Sequence, residues 1–69
     1  MKLSARNILQ GKVVAITTGA TTTHVKIEVE GGLFITSSIT NEAALDLGLA
    51  VGGEACAIIK ASDVIIGVP

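Results

Sequence analysis

A chain of 69 residues with net charge −1, five basic against six acidic residues evenly spread, carries no basic stripe. With one Phe and neither Trp nor Tyr it also has no aromatic platforms, so composition argues against a nucleic-acid partner. Cys56 is the only cysteine, which excludes an intrachain disulfide or a cysteine-built metal centre and suits a reducing, cytoplasmic compartment.

Hydrophobic residues make up 49% of the chain, almost all of them aliphatic. No apolar run approaches the roughly 18 residues a membrane helix needs, and Met1-Lys2-Leu3-Ser4 has no signal-peptide h-region. A single domain over residues 1–69 is too small to hide this much apolar surface alone. Packing against further copies of the chain is the simplest resolution, so a homo-oligomer is expected.

Ser4-Ala5-Arg6-Asn7 is polar and leads into a strand over Ile8–Ile16. Its alternation places Leu9, Gly11, Val13 and Ala15 on one face and Gln10, Lys12, Val14 and Ile16 on the other. A loop comes next around Gly19. Thr22–Glu30 is the cleanest strand, with Val25, Ile27 and Val29 facing one way and His24, Lys26, Glu28 and Glu30 the other. Gly31-Gly32 is a hairpin signal, and Leu33–Ile39 returns as a third strand with Leu33, Ile35 and Ile39 on one face.

Thr40 or Asn41 then reads as the N-cap of a short helix, with Glu42 in its first turn and Gly48 as its stop. Leu45, Leu47 and Leu49 are expected to anchor that helix over the open end of the sheet. Gly52-Gly53 turns the chain into a fourth strand, Glu54–Lys60. After Ala61-Ser62-Asp63, Val64-Ile65-Ile66-Gly67-Val68 reads as a fifth strand with no polar face. The order β-β-β-α-β-β predicts an all-β, five-stranded OB-like Greek-key barrel with one short helix between strands three and four.

Two donor clusters stand out. Ser4-Ala5-Arg6-Asn7 offers a hydroxyl, a guanidinium, a carboxamide and backbone N–H groups without a carboxylate. Lys60-Ala61-Ser62 offers an ammonium, a hydroxyl and further N–H groups at the end of another strand. Bonds to an ionised acceptor are roughly twice as strong as neutral ones, so such clusters suit a small oxyanion. Being far apart in sequence, the two clusters admit an origin in different chains, which would place the site at a subunit interface.

Taken together, Ser4-Ala5-Arg6-Asn7 with Leu9 and Gly11-Lys12-Val13, then Ser38-Ile39-Thr40, then Ala57-Ile58-Ile59-Lys60-Ala61-Ser62-Asp63-Val64 resemble the molbindins. These are small bacterial molybdate-binding proteins made of one Mop domain. The resemblance covers essentially the whole chain. It implies an OB-like fold, a hexamer assembled as a trimer of dimers, and molybdate or tungstate bound between subunits for intracellular storage or buffering. Carried over by position, it implies anion contacts from Ser4, Arg6, Thr40, Lys60 and Ser62, with Ala5 and Ala61 contributing backbone N–H groups. Ala43 stands where relatives often carry a hydroxyl, so one contact is missing.

Molybdate is a tetrahedral dianion with acceptor oxygens only. Its pocket needs inward-pointing donors and little negative charge, because burying a charge without partners is prohibitive. The anion would be held through its oxygens, with no direct protein–metal ligands and no other cofactor. A protonated phosphate would turn an O–H towards a donor-only wall, and sulfate is smaller. No residue pairing suggests catalysis: His24 is the only imidazole, and nothing in the sequence places it beside Ser4 or Cys56. The chain has no phosphate-binding Gly-Lys-Ser/Thr loop and no helix-turn-helix. The alternative from another class is an OB-fold module that binds single-stranded nucleic acid.

Overall fold

The computed structural model describes residues 2–69. Four strands, β1 (Asn7–Thr18), β2 (Thr22–Val29), β3 (Leu33–Thr40) and β4 (Glu54–Ile59), form one antiparallel sheet in the order β3-β2-β1-β4. A six-residue helix, α1 (Asn41–Asp46), lies between β3 and β4, and a 3-10 turn, Ala61–Asp63, comes after β4.

The second strand behaves as its alternation predicts. Val25, Ile27 and Val29 are buried with Val13 of β1, and Thr23 joins the same face at 1% exposure. Ile35, Ile39, Leu49, Ala55 and Ala57 pack around this centre. Gly31 and Gly32 take φ of +88° and +79° in the β2–β3 hairpin, the left-handed region where a side chain would be strained.

The first strand departs from simple alternation. Its pairing with β2 slips between Val13 and Ala15, so one extra residue is inserted there. The bulge reverses the facing of the residues beyond it. Val13 sits opposite Ile27 and Ile16 opposite Val25, so Ile16 rather than Ala15 joins the core. Gly52 N–H donates to the Val13 carbonyl (2.8 Å), and Val13 N–H donates to that of Gly53 (2.9 Å). Those bonds fasten the α1–β4 loop at the bulge. Two residues before it, the backbones close up: a Cβ on Gly11 would collide with the Glu28 carbonyl. Glycine there is what lets β1 cross β2 so tightly.

Two expectations are corrected. Of the three leucines expected to anchor α1, only Leu49 packs on the core, while Leu45 and Leu47 are 81% and 67% exposed. The helix ends at Asp46, so Leu47 and Leu49 lie beyond it and do not share a helical face with Leu45. The fifth strand is also absent: Val64–Val68 forms no ladder, and Ile65, Ile66 and Val68 are exposed. Strand-like sequence alone does not make a strand: the segment pairs with neither open edge, β3 or β4. Here Asp63 N–H donates to the Lys60 carbonyl and Val64 N–H to that of Ala61, and the turn leads the chain off β4. The result is a curled, four-stranded half-barrel rather than a five-stranded barrel. It stays open between β3 and β4 over an apolar groove of about 630 Å³, lined by residues that include Val25, Ile27, Ile35, Ile39 and Ala57.

Candidate anion site

The first and last residues of the β1–β4 ladder are Asn7 and Ile59, paired directly, and Asn7 Nδ2 donates to the Ile59 carbonyl at 3.2 Å. Arg6 and Lys60 are therefore the next residues outward on neighbouring strands. Ser4, Ala5 and Arg6 approach the ladder from one side, and Lys60, Ala61 and Ser62 leave it on the other. The two donor clusters therefore flank the same end of the β1–β4 ladder within one chain. Antiparallel pairing does this: a strand near the start of the chain lies against one near its end.

All these residues are exposed except Ala5, which is half-buried. The end holds two cations, Arg6 and Lys60, with the Ser4 and Ser62 hydroxyls beside them in sequence. Lys60 precedes the 3-10 turn in an extended conformation (φ −63°, ψ 140°), and no side chain caps that turn. Asp63, the acidic residue of the segment, sits at the turn's last position.

Thr40 is elsewhere. It pairs with Thr22 at the start of β2, and β2 pairs with the far end of β1, where Thr18 meets Thr23. At about 3.3 Å per residue, the length of β1 puts on the order of 35 Å of strand between Arg6 and that corner. Thr40 caps α1: its Oγ1 accepts from the Ala43 N–H at 3.0 Å. Ser4, Ala5, Arg6, Lys60, Ala61 and Ser62 thus flank one end of the β1–β4 ladder, and Thr40 lies at the opposite end of the sheet.

The sequence offers Asn41 as an alternative cap, but Thr40 is the cap and Asn41 has a different role. Its Nδ2 donates to the carbonyls of Gly19 (3.0 Å) and Ala20 (3.3 Å), while its Oδ1 accepts from the buried Thr23 hydroxyl (2.6 Å). Its backbone N–H donates to the Thr21 carbonyl at 3.1 Å. One carboxamide ties α1 to the β1–β2 loop. Nothing in the local sequence signals this, because every partner lies about twenty residues upstream.

Lys26, Phe34 and the His24 imidazole lie on the outer face of β2 and β3. Lys26 Nζ sits 4.5 Å from the Phe34 ring centroid, a cation–π contact on the exposed surface. His24 pairs across from Thr17 and Ser38, on the row opposite the core. Among the described residues no cluster of His, Cys, Asp and Glu could hold a metal ion. Among them, too, no helix is long and apolar enough to cross a membrane.

Residues 3–66 match the TOBE domain. The chain belongs to the TOBE domain family. A probable molybdenum-pterin-binding protein of Haemophilus influenzae is 48% identical to this TOBE chain over 68 residues, covering 99% of each. Molybdenum-pterin-binding protein 3 of Clostridium pasteurianum is 47% identical, covering 96% of this chain and 97% of its own. Solved structures agree. MopII from Clostridium pasteurianum superposes with a TM-score of 0.92 at 42% identity, over 97% of this chain and all of that one. The cytoplasmic molybdate-binding protein ModG, with molybdate bound, superposes at 0.97 with 54% identity, over all of this chain and 49% of that one. These Mop-type relatives bear out the molbindin resemblance read from the motifs.

Proposed function

We propose that this TOBE chain is a single Mop domain over residues 1–69 that binds molybdate or tungstate in the cytoplasm, and that it stores or buffers the oxyanion rather than transforming it. The observation that carries this reading is that Ser4-Ala5-Arg6 and Lys60-Ala61-Ser62 flank the same end of the β1–β4 ladder. Arg6 and Lys60 supply two positive charges against the dianion's two negative ones. The Ser4 and Ser62 hydroxyls and the Ala5 and Ala61 N–H groups supply neutral donors. Charge-assisted bonds of this kind contribute about 1.5–3 kcal/mol each when well formed. Support also comes from ModG, a molybdate-bound relative of high structural similarity.

One chain does not enclose the anion. Thr40 is too far from Arg6 and Lys60 of its own chain to share their ligand, so in this reading a second copy brings its Thr40 to the seam. The apolar groove and the uncovered Val64–Val68 segment give the copies a reason to associate. The assembly is a homo-oligomer, a hexamer built as a trimer of dimers. Anion and assembly then stabilise one another by mass action. The nucleic-acid alternative gains nothing, since Phe34 is the one aromatic ring and offers no row of rings on which successive bases could stack.

Native mass spectrometry with and without molybdate tests this, because it counts chains and anions together. The expected spectrum shows hexamers carrying molybdate that a large excess of sulfate does not displace. Monomers indifferent to molybdate, or equal uptake of sulfate, would defeat the reading.

A further inference from the structure

Asn41 spends its whole side chain on its own fold. Both Nδ2 hydrogens are directed to carbonyls, those of Gly19 and Ala20, and Oδ1 accepts from Thr23. The carboxamide therefore keeps no donor for a ligand. The neighbouring Thr40 is in the complementary state: its Oγ1 accepts from Ala43 N–H, which fixes the oxygen and leaves the hydroxyl hydrogen to donate outward. Thr40 is exposed, Asn41 is half-buried, and Thr23 is 1% exposed.

We infer that Asn41 is a positioning residue for the anion site: by clamping the start of α1 to the β1–β2 loop, it holds the Thr40 hydroxyl where it can donate to the ligand. This rests on the proposed reading of Thr40 as an anion contact. The chemistry at residue 41 is narrow. Alanine frees the loop carbonyls and loses the clamp. Aspartate keeps the acceptor for Thr23 but sets its second oxygen, in place of the donor, against two carbonyls. Glutamine is one methylene too long. Only a carboxamide on a single methylene supplies two donors and one acceptor at this spacing. Preorganisation of this kind is worth affinity because the hydroxyl need not be ordered when the anion arrives.

A double-mutant cycle on molybdate affinity tests it, measured by titration calorimetry on the assembled protein. Thr40→Ala should weaken binding on the order of tenfold or more, the loss of one bond to a charged acceptor. Asn41→Ala should weaken it by a similar factor without touching the anion. The double variant should be no weaker than Thr40→Ala alone. A residue that merely stabilised the fold would instead cost the same factor in both backgrounds, and that outcome overturns the inference. So does Asn41→Ala binding as tightly as the wild type. Should Asn41→Ala not fold, Thr23→Val deletes only the hydroxyl that holds Oδ1. It should cost roughly threefold in the wild type and nothing in the Thr40→Ala background, with equal losses in both again overturning the idea. If Thr40→Ala binds as the wild type does, the parent reading of Thr40 fails, and this inference fails with it.

Discussion

The two ends of β1 are built on opposite principles. At its start, Asn7 makes one exposed side-chain bond to Ile59, and the donors beyond it, Arg6 and Lys60, stand in solvent. At its finish, the buried Thr23 and the carboxamide of Asn41 tie the β1–β2 loop and α1 to each other through a set of mutual bonds. The first end is rich in charge and poor in internal partners; at the second, the Asn41 and Thr23 side chains are fully engaged. Groups that are to hold a ligand must keep their hydrogen-bonding capacity unspent, whereas groups that hold the fold must spend it. The contrast separates Arg6 and Lys60, read as ligands, from Asn41 and Thr23, which hold the fold around Thr40.

Substitutions at the two ends should therefore part company in what they change. The largest effect is expected from Arg6→Ala combined with Lys60→Ala: molybdate affinity should fall on the order of a thousandfold, about 4 kcal/mol, with the melting temperature little changed. Calorimetry beside thermal melting would show it. Midway along the strand, Gly11→Ala should cost about 3 kcal/mol of stability, because its new Cβ meets backbone that cannot yield. Denaturant unfolding measures that. Thr23→Ala, at the tied end, should cost about 2 kcal/mol by leaving the Asn41 oxygen without its partner. Asn7→Ala at the open end should cost about 0.5 kcal/mol, since water replaces an exposed bond. Equal losses at Thr23 and Asn7 would erase the contrast. Smallest of all, Leu45→Ser in the free chain should be within about 0.5 kcal/mol of neutral, its side chain being almost wholly in solvent.

Much of this was legible in the sequence where physics is local. The alternation of Val25, Ile27 and Val29 gave β2 its buried face, Gly31-Gly32 gave the hairpin, and Thr40 gave the helix cap. The donor clusters were visible as residue types. What stayed hidden was set by long-range pairing. No local pattern around Val14 announces the bulge that moves Ile16 inward, and only the β1–β4 register reveals that Arg6 and Lys60 are neighbours. Asn41 reads as a cap because its partners lie in a distant loop. The error over Val64–Val68 has the same root. Apolar β-formers specify a wish for burial, but a strand exists only where an edge receives it.

The most direct measurement is a crystal of the assembled protein soaked in molybdate, with anomalous diffraction collected at the molybdenum edge. The expected map places the metal with its oxo groups about 2.7–2.9 Å from the Arg6 and Lys60 nitrogens of one copy, and a second copy's Thr40 on the remaining side. A peak lodged in the apolar groove, on the outer face beside Lys26, or anywhere out of reach of both cations would contradict it.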